Sequence, residues 1–303
     1  MGRNGVGKTS VLEALNLYFT DGDRDKISQL LISRDELNYR RADLPENIDE
    51  YGLGFQSLFY GRPSFRSELP KFSIGPANPE QIDRALTIEM TYLRRELNEV
   101  DGSVRLKKLT AEELVSYPDA MLGFRIGLGK RRTLVPISRL GLRSARTVAP
   151  QPIPKAIYLS SAGVGPRELA RLWDSIALTD DEELVIGALR TMSDPIERLV
   201  LVENPNASRE RVMMGKITRF NEPITVRSLG EGINHILGII LSLIQARGGC
   251  LLADEIENGI HYSRQAELWR LIFRQATKGQ TQVIATTHSW DCVVWWLLAE
   301  LSG

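Results

Sequence analysis

A glycine-rich loop at the start of the chain constrains the fold more than any other sequence feature. Residues 2–9 are GRNGVGKT, which satisfies the pattern G-x-x-x-x-G-K-[ST]. In this pattern loop amides surround phosphate groups, the lysine reaches the terminal phosphates and the hydroxyl binds Mg²⁺. Val11, Leu12 and Leu15 follow at helical spacing, which predicts a helix directly after the loop. The alternative is a glycine-rich surface turn with an incidental lysine.

The composition is that of a globular protein, with 43% hydrophobic and 25% charged residues among 303. The 38 acidic and 38 basic residues cancel, so no overall charge attracts nucleic acid or a membrane surface. The longest apolar runs, ILGIILSLI and VVWWLLAEL, are shorter than a membrane span, and the start has no secretion leader. We therefore expect a cytoplasmic protein without membrane insertion. Cys250 and Cys292 lie in apolar segments and are predicted to be buried reduced thiols.

Two hairpins are predicted in the middle of the chain. ALTIEMTYL alternates apolar and polar residues, and GSVRLKKL follows a turn at residues 101–102. RVMMGKI and EPITVRS, separated by a polar turn, predict the second hairpin. AIYLSS predicts a short buried strand between the two hairpins.

Helices and loops account for most of the remaining middle segments. PRELARLWDSIAL and DDEELVIGALRTM predict helices, and PIERLVLVE is interpreted as a mostly helical segment that turns into strand. Residues 20–82 show no sustained period and are predicted to be loops with short helical pieces. After a helix start at TAEELVSY, a Pro/Gly-rich stretch up to APQPIPK is expected to pass between lobes.

The last eighty residues or so predict a parallel βαβ unit. CLLADE and QVIATTHS are short apolar runs that end in polar residues, and SRQAELWRLIFRQA between them has helical periodicity. Before this unit, SLGEGINHILGIILSLIQA joins a glycine-rich turn to a helix that is apolar on more than one side.

Polar side chains follow both strands of this unit. Ligands of an open parallel sheet gather at the carboxyl ends of its strands, where Asp254, Glu255 and His288 are expected. Asp254 can hold Mg²⁺ directly or through water, and Glu255 can deprotonate the attacking water. His288 can contact the terminal phosphate or that water. The alternatives are a surface acid pair and a structural histidine.

Four segments together resemble the ATPase heads of ABC-type proteins, most closely the AAA-family group that includes the OLD, RecF and SMC relatives. They are GRNGVGKTS (Walker A), SLGEG (signature), LLADEIENGIHYS (Walker B) and IATTHS (switch), in that order. The resemblance implies an α/β P-loop NTPase fold, with a mostly parallel sheet flanked by helices, an antiparallel β lobe and a helical insertion. It implies one head over residues 1–303, with a nucleotide-binding core at 1–60 and 225–303 and an insertion lobe at 61–224.

The resemblance also assigns roles to individual residues. ATP and Mg²⁺ are the implied cofactors, with Thr9 and Asp254 on the metal, and Glu255 and His288 in catalysis. In this class the signature motif caps a nucleotide held by a second protomer, which implies a homodimer. Gln56 is a weak candidate for the glutamine expected near the metal. The implied nucleotide-binding residues are Gly2, Arg3, Asn4, Gly5, Val6, Gly7, Lys8, Thr9, Ser10, Ser228, Gly230, Glu231 and Gly232.

The start of the sequence departs from the family pattern. In the family a buried strand leads into the phosphate loop, and here Met1 leaves no room for one. Removing a central strand leaves apolar surface in water, at about 25 cal/mol for each Å². We therefore expect a truncated or misassigned reading frame.

Three functions are consistent with the sequence. The first is ATP hydrolysis that drives engagement of two heads for DNA-related or phage-defence work, with DNA and a nuclease or effector as candidate partners. Residues 120–167 have nine Lys/Arg and no acidic residue, which could neutralise phosphates or form a solvated face. The second is a transporter subunit, disfavoured by ENGIHYS after Walker B. The third is a non-catalytic nucleotide-gated scaffold or a truncated inactive copy.

Overall fold

The computed structural model describes residues 7–36, 54–63, 69–98, 102–137, 156–192, 196–204 and 210–300. The chain divides into two compact units, residues 13–149 and residues 1–12 with 150–303. The helices are α1 (Lys8–Phe19), α2 (Arg24–Ser33), α3 (Ala111–Leu114), α4 (Pro166–Asp174), α5 (Asp180–Met192), α6 (Glu231–Gln245), α7 (Tyr262–Gly279) and α8 (Trp290–Glu300). The strands are β1 (Lys71–Ile74), β2 (Leu86–Leu97), β3 (Val104–Lys108), β4 (Met121–Leu128), β5 (Arg131–Pro136), β6 (Ala156–Leu159), β7 (Ile196–Glu203), β8 (Arg211–Ile217), β9 (Ile224–Thr225), β10 (Cys250–Ala253) and β11 (Gln282–Ala285).

An antiparallel sheet forms the centre of the unit at residues 13–149. Its strands have the order β1-β2-β4-β5, and β3 pairs with the end of β2. Leu86, Ile88 and Met90 alternate along β2 and are fully buried, because successive strand residues point to opposite faces. The predicted β2–β3 hairpin is confirmed. The predicted helix after it is α3, where Thr110 and Glu113 form a capping box.

Two segments of this unit contain strands that were not predicted. Among residues 20–82, α2 is one of the predicted short helical pieces, whereas the strand β1 contradicts the prediction of loops. The Pro/Gly-rich stretch also contains the β4–β5 hairpin, which was not predicted, while its end at APQPIPK, where the chain is expected to pass between lobes, lies outside the described residues. A Cβ at Gly123 would lie 2.8 Å from the carbonyl of Val135, and Gly129 turns the chain with φ +58°.

A three-stranded parallel sheet, in the order β11-β10-β6, lies in the other unit. Ala253 pairs with Ala285 on one side and with Leu159 on the other, so the three strands end at one level. The helix α7 connects β10 to β11, which confirms the predicted βαβ unit. This register places the residues that follow the three strands side by side.

The helix α6 is buried along most of its length, as its sequence predicts. It contacts β6 and the helices α4, α5 and α7, which cover it from several sides. Each fully buried isoleucine or leucine contributes about 1.5–3 kcal/mol relative to an exposed one. The fully buried core of α6 is Ile236, Leu237, Ile239, Ile240, Leu241 and Leu243.

A second antiparallel sheet, β7-β8-β9, precedes α6. The predicted β8–β9 hairpin is confirmed. In PIERLVLVE the predicted strand is present as β7 at residues 196–203, and the predicted helical part of this segment is wrong. Ile196 and Leu199 are buried while Val200 and Val202 are exposed, with a bulge between residues 196 and 198. The bulge breaks the period-2 pattern that would have identified the strand.

No helix in the described ranges is long and apolar enough to cross a membrane. The predicted state of the cysteines is confirmed: Cys250 and Cys292 are both free and buried. Burial raises the pKa of the Cys250 thiol to about 11, and burial is also the largest cause that raises the pKa of Cys292.

Both thiols are therefore expected to be unreactive in the native protein. A pKa of about 11 in place of 9.0 lowers the thiolate fraction about 100-fold near neutral pH. A chromogenic disulfide reagent at pH 8 should detect two thiols in denaturant. The same reagent should react far more slowly with the folded chain. Rapid modification of Cys250 in the native protein would contradict its burial.

Candidate functional site

The end of the predicted phosphate loop leads directly into a helix. Gly7 has φ +85°, a conformation that favours glycine, and α1 begins at Lys8. The amide of Val11 donates to the Gly7 carbonyl at 3.0 Å, which closes the first turn. Four of the predicted loop residues, Gly7 to Ser10, are described. The other five, Gly2, Arg3, Asn4, Gly5 and Val6, lie outside the described residues.

The start of α1 meets the end of β10 through one side-chain contact. The hydroxyl Oγ1 of Thr9 donates to both carboxylate oxygens of Asp254, at 3.1 Å each. The two residues are 245 positions apart in the chain. Asp254 is 4% exposed, so its charge depends on donors supplied by the protein or by a bound cation.

Thr286 connects the ends of β10 and β11. Its hydroxyl donates to Oδ1 of Asp254 at 2.5 Å and accepts the amide hydrogen of Glu255 at 2.9 Å. Its backbone amide donates to the carbonyl of Ala253 at 2.9 Å, and its carbonyl accepts from Ile256 at 3.1 Å. One threonine therefore holds the backbone and the carboxylate of the acid pair.

The geometry at Thr9 and Asp254 fits an octahedral Mg²⁺. Magnesium binds oxygen ligands at 2.0–2.1 Å, so two adjacent ligands of its shell lie about 3 Å apart. The 3.1 Å between Oγ1 of Thr9 and the carboxylate oxygens of Asp254 matches that separation. These oxygens could accommodate the ion with little rearrangement.

Glu255 and His288 lie together at the same edge of the sheet. Nε2 of His288 is 3.2 Å from Oε1 of Glu255, and each side chain is a little more than one third exposed. Glu255 has φ +48°, a left-handed conformation that is uncommon for a residue with a side chain. The acid and the histidine are therefore close to each other and open to solvent.

The predicted signature segment is an exposed turn followed by α6. Residues 226–229 form a 3-10 helix, and Gly230 then turns the chain with φ +112°. Oγ of Ser228 lies 2.6 Å from Oγ1 of Thr225, which also accepts the Ser228 amide hydrogen. Glu231 begins α6, and its first turn packs closely: a Cβ at Gly232 would lie 2.4 Å from the Gly259 carbonyl oxygen.

Two cavities lie next to these residues. One of about 440 Å³ is lined by Lys8, Leu12, Thr287, His288 and Trp290 among others. The second, of about 570 Å³, lies beside the signature segment and is lined in part by Arg227, Glu231 and His235. Gln56 lies in a 3-10 helix of the unit at residues 13–149, and its predicted role near the metal stays a prediction.

The fold and this site define a P-loop NTPase of the ATPase-head type. A family model described as "AAA domain, putative AbiEii toxin, Type IV TA system" matches residues 95–291. Because this match covers more than half of the chain, the protein belongs to that AAA-domain family. The predicted fold class and the resemblance to AAA-family ATPase heads are confirmed.

Among solved structures the chain is similar to heads of SMC proteins. "Crystal structure of the SmcHead bound to the C-winged helix domain of ScpA" is 14% identical over 97% of this chain and 82% of that one, with a TM-score of 0.45. "SMC head domain from Thermotoga maritima" is 10% identical over 70% and 66% of the two chains, with a TM-score of 0.30. Both TM-scores lie below 0.5. No curated protein matches the chain.

Sequence reasoning did not identify Thr286 or Glu257 as site residues. Thr286 could have been found from register, because parallel pairing of CLLA with QVIA places residue 286 next to residue 254. Glu257 accepts the amide hydrogens of His288 and Ser289 at 2.8 and 3.1 Å. Strand register could not have identified Glu257, because this residue lies in the irregular loop after β10, three residues after Asp254.

Replacing Thr286 should reveal how strongly the chain depends on its hydroxyl. Thr286→Val keeps the shape of the side chain but leaves the Glu255 amide and Oδ1 of Asp254 without this partner. We expect a loss of about 1–3 kcal/mol in the free energy of unfolding, measured by urea denaturation. The control Thr286→Ser keeps the hydroxyl and should retain most of the stability. Equal stability of the valine variant and the wild type would contradict the bridging role.

Proposed function

We propose that this protein binds and hydrolyses ATP with Mg²⁺ as cofactor. The observation that carries the proposal is the contact between Thr9 and Asp254, which joins the phosphate-loop helix to the acid pair. Membership in the AAA-domain family supports the same activity. The contact matters because the first ten residues and the acid pair must share one triphosphate for the motifs to act together.

Each residue of the site has a proposed task. Gly2 to Ser10 bind the triphosphate, and Lys8 neutralises its terminal oxygens. Thr9 and Asp254 hold Mg²⁺, which when bound would offset the negative charge of the phosphates. Glu255 accepts the proton of the attacking water, since it is open to solvent next to the buried Asp254. His288, 3.2 Å from Glu255, orients that carboxylate and contacts the terminal phosphate.

Glu255→Gln should separate hydrolysis from binding. The amide keeps the size of the side chain but cannot accept the proton, so turnover should fall by about 10² to 10⁴ in a phosphate-release assay. MgATP at 100 times its Kd should still stabilise the variant by about 2.7 kcal/mol in thermal unfolding. The control Glu267→Gln removes a carboxylate from the exposed side of α7 and should leave both measurements unchanged.

Each result has a defined meaning for the alternatives. Unchanged turnover in Glu255→Gln would remove Glu255 as the base. Stabilisation of the wild type by MgATP without any turnover would favour a nucleotide-gated scaffold. No stabilisation at all would favour an inactive copy.

We further propose that two copies engage through the signature segment. Ser228, Gly230 and Glu231 lie at the exposed turn before α6, where amides at a helix N-terminus favour an anion. In the proposed dimer this anion is the terminal phosphate of the nucleotide bound to the partner copy. The dimer would therefore form only with MgATP and dissolve after hydrolysis.

A bulky cation on this turn should block the dimer without affecting the monomer. We expect Glu255→Gln, which retains ATP, to form dimers with MgATP in light scattering. Adding Ser228→Arg should keep that protein monomeric while it still binds nucleotide. The control Ser116→Arg places the same change on an exposed site in the other unit and should not affect dimerisation. Dimerisation of the Ser228→Arg protein would exclude the signature turn as the interface.

The proposed biological setting is a cytoplasmic defence or DNA-related activity. The family description, with its putative AbiEii toxin and type IV toxin–antitoxin system, supports the defence setting. Lys130, Arg131 and Arg132 lie exposed at the β4–β5 hairpin and are the described basic residues best placed to meet DNA phosphates. DNA and a nuclease or effector therefore stay candidate partners.

A further inference from the structure

Glu257 lies in the loop after β10 and contacts the backbone of the switch segment. Its Oε1 accepts the amide hydrogens of His288 and Ser289. These two amides immediately precede α8, which begins at Trp290. A carboxylate that accepts two backbone amides fixes the position of that backbone, because charge-assisted hydrogen bonds are short and directional. Glu257 therefore fixes the backbone position from which the His288 side chain extends.

The other oxygen of this carboxylate has an unusual environment. Within the described part of the chain, Oε2 of Glu257 is buried and has no hydrogen-bond partner, and the same holds for Nε2 of His235. Leaving a buried polar atom unpaired costs about 1–3 kcal/mol. His235 is 6% exposed, and burial lowers its pKa, while the Ile256 carbonyl and the Glu257 charge act in the opposite direction. An unpaired acceptor and an unpaired ring nitrogen thus lie within electrostatic reach of each other.

His235 belongs to the helix that begins at the signature turn. It lies one turn after Gly232 on α6, and Gly232 packs directly against Gly259 of the Glu257 loop. A Cβ at Gly232 would lie 2.4 Å from the Gly259 carbonyl oxygen, so the two segments pack closely at this point. A displacement of the signature turn toward this contact would therefore press on the loop that carries Glu257.

We propose that Glu257 is a positioning residue that links the signature helix to His288: one carboxylate oxygen holds the amides of residues 288 and 289, and the other pairs with Nε2 of His235. This link rests on the proposed ATP hydrolysis and explains how signature engagement reaches Glu255 and His288 of the same copy. When Nε2 of His235 carries a proton, it can donate to Oε2 of Glu257, and the pairing then satisfies both unpaired atoms. His288 then keeps its orientation toward Glu255.

The three histidines of the chain allow a test that needs no nucleotide. His235 and His288 belong to the proposed link, whereas His261 lies exposed at the start of α7. With ¹³C-labelled histidine, Glu257→Gln should shift the NMR signals of His235 and His288 and leave His261 in place. The control Glu267→Gln should shift neither of the linked signals. An unchanged His288 or His235 signal in Glu257→Gln would overturn the link, even if the protein hydrolyses ATP.

Kinetics test the same link through its dependence on His288. Loss of a partner that orients an active group typically costs 10- to 100-fold in activity, so kcat of Glu257→Gln should fall about 10-fold or more with little change in KM. In a His288→Ala background the same change should have no further effect, and Glu257→Asp should recover part of the wild-type rate. Additive losses would show that Glu257 acts independently of His288 and would overturn the proposal. If the wild type has no ATPase activity, the proposed function fails while the NMR result still decides the link.

Discussion

The candidate site depends on the burial of one carboxylate between two hydroxyl donors. Asp254 is almost fully enclosed, and a buried carboxylate is costly unless the protein or a cation compensates its charge. Thr9 and Thr286 supply donors from two different elements, α1 and the end of β11. Because Thr9 lies in α1 and Thr286 directly follows β11, Asp254 connects these two elements. This arrangement positions the backbone after β10 and β11, and that backbone in turn places Glu255 and His288.

The parallel sheet and its polar edge could be predicted because their signals are local. Short apolar runs that end in Asp254 and His288, separated by an amphipathic helix, admit few arrangements other than a βαβ unit. The glycine pattern before Lys8 and the apolar helix α6 are equally local. The contact between Thr9 and Asp254 could be inferred only because both residues belong to motifs with a known common ligand.

The remaining features depend on tertiary packing that a single sequence does not contain. Gly123 and Gly129 indicate loops when considered alone, yet one meets a neighbouring strand closely and the other closes a hairpin. The segment of β7 was interpreted as mostly helical because its bulge interrupts the alternation that marks a half-buried strand. Glu257 was missed for a different reason. Its importance comes from the amides of His288 and Ser289, thirty or so residues away, and charged loop residues are usually solvated.

The left-handed backbone conformation of Glu255 gives the two adjacent carboxylates at the sheet edge different environments. A side-chain-bearing residue in the left-handed region costs roughly 1–2 kcal/mol, so it persists only where its neighbours enforce it. Here the hydroxyl of Thr286 accepts the Glu255 amide hydrogen, and the carbonyl of the same threonine accepts that of Ile256. These bonds turn the chain between Asp254 and Ile256, so that one acid stays buried while the next becomes open to solvent beside His288. Two adjacent carboxylates thereby obtain different environments, which a regular extended strand would supply only by placing them on opposite faces of the sheet. The strain at Glu255 is thus offset by the same threonine that holds Asp254, through its hydroxyl group and its backbone carbonyl.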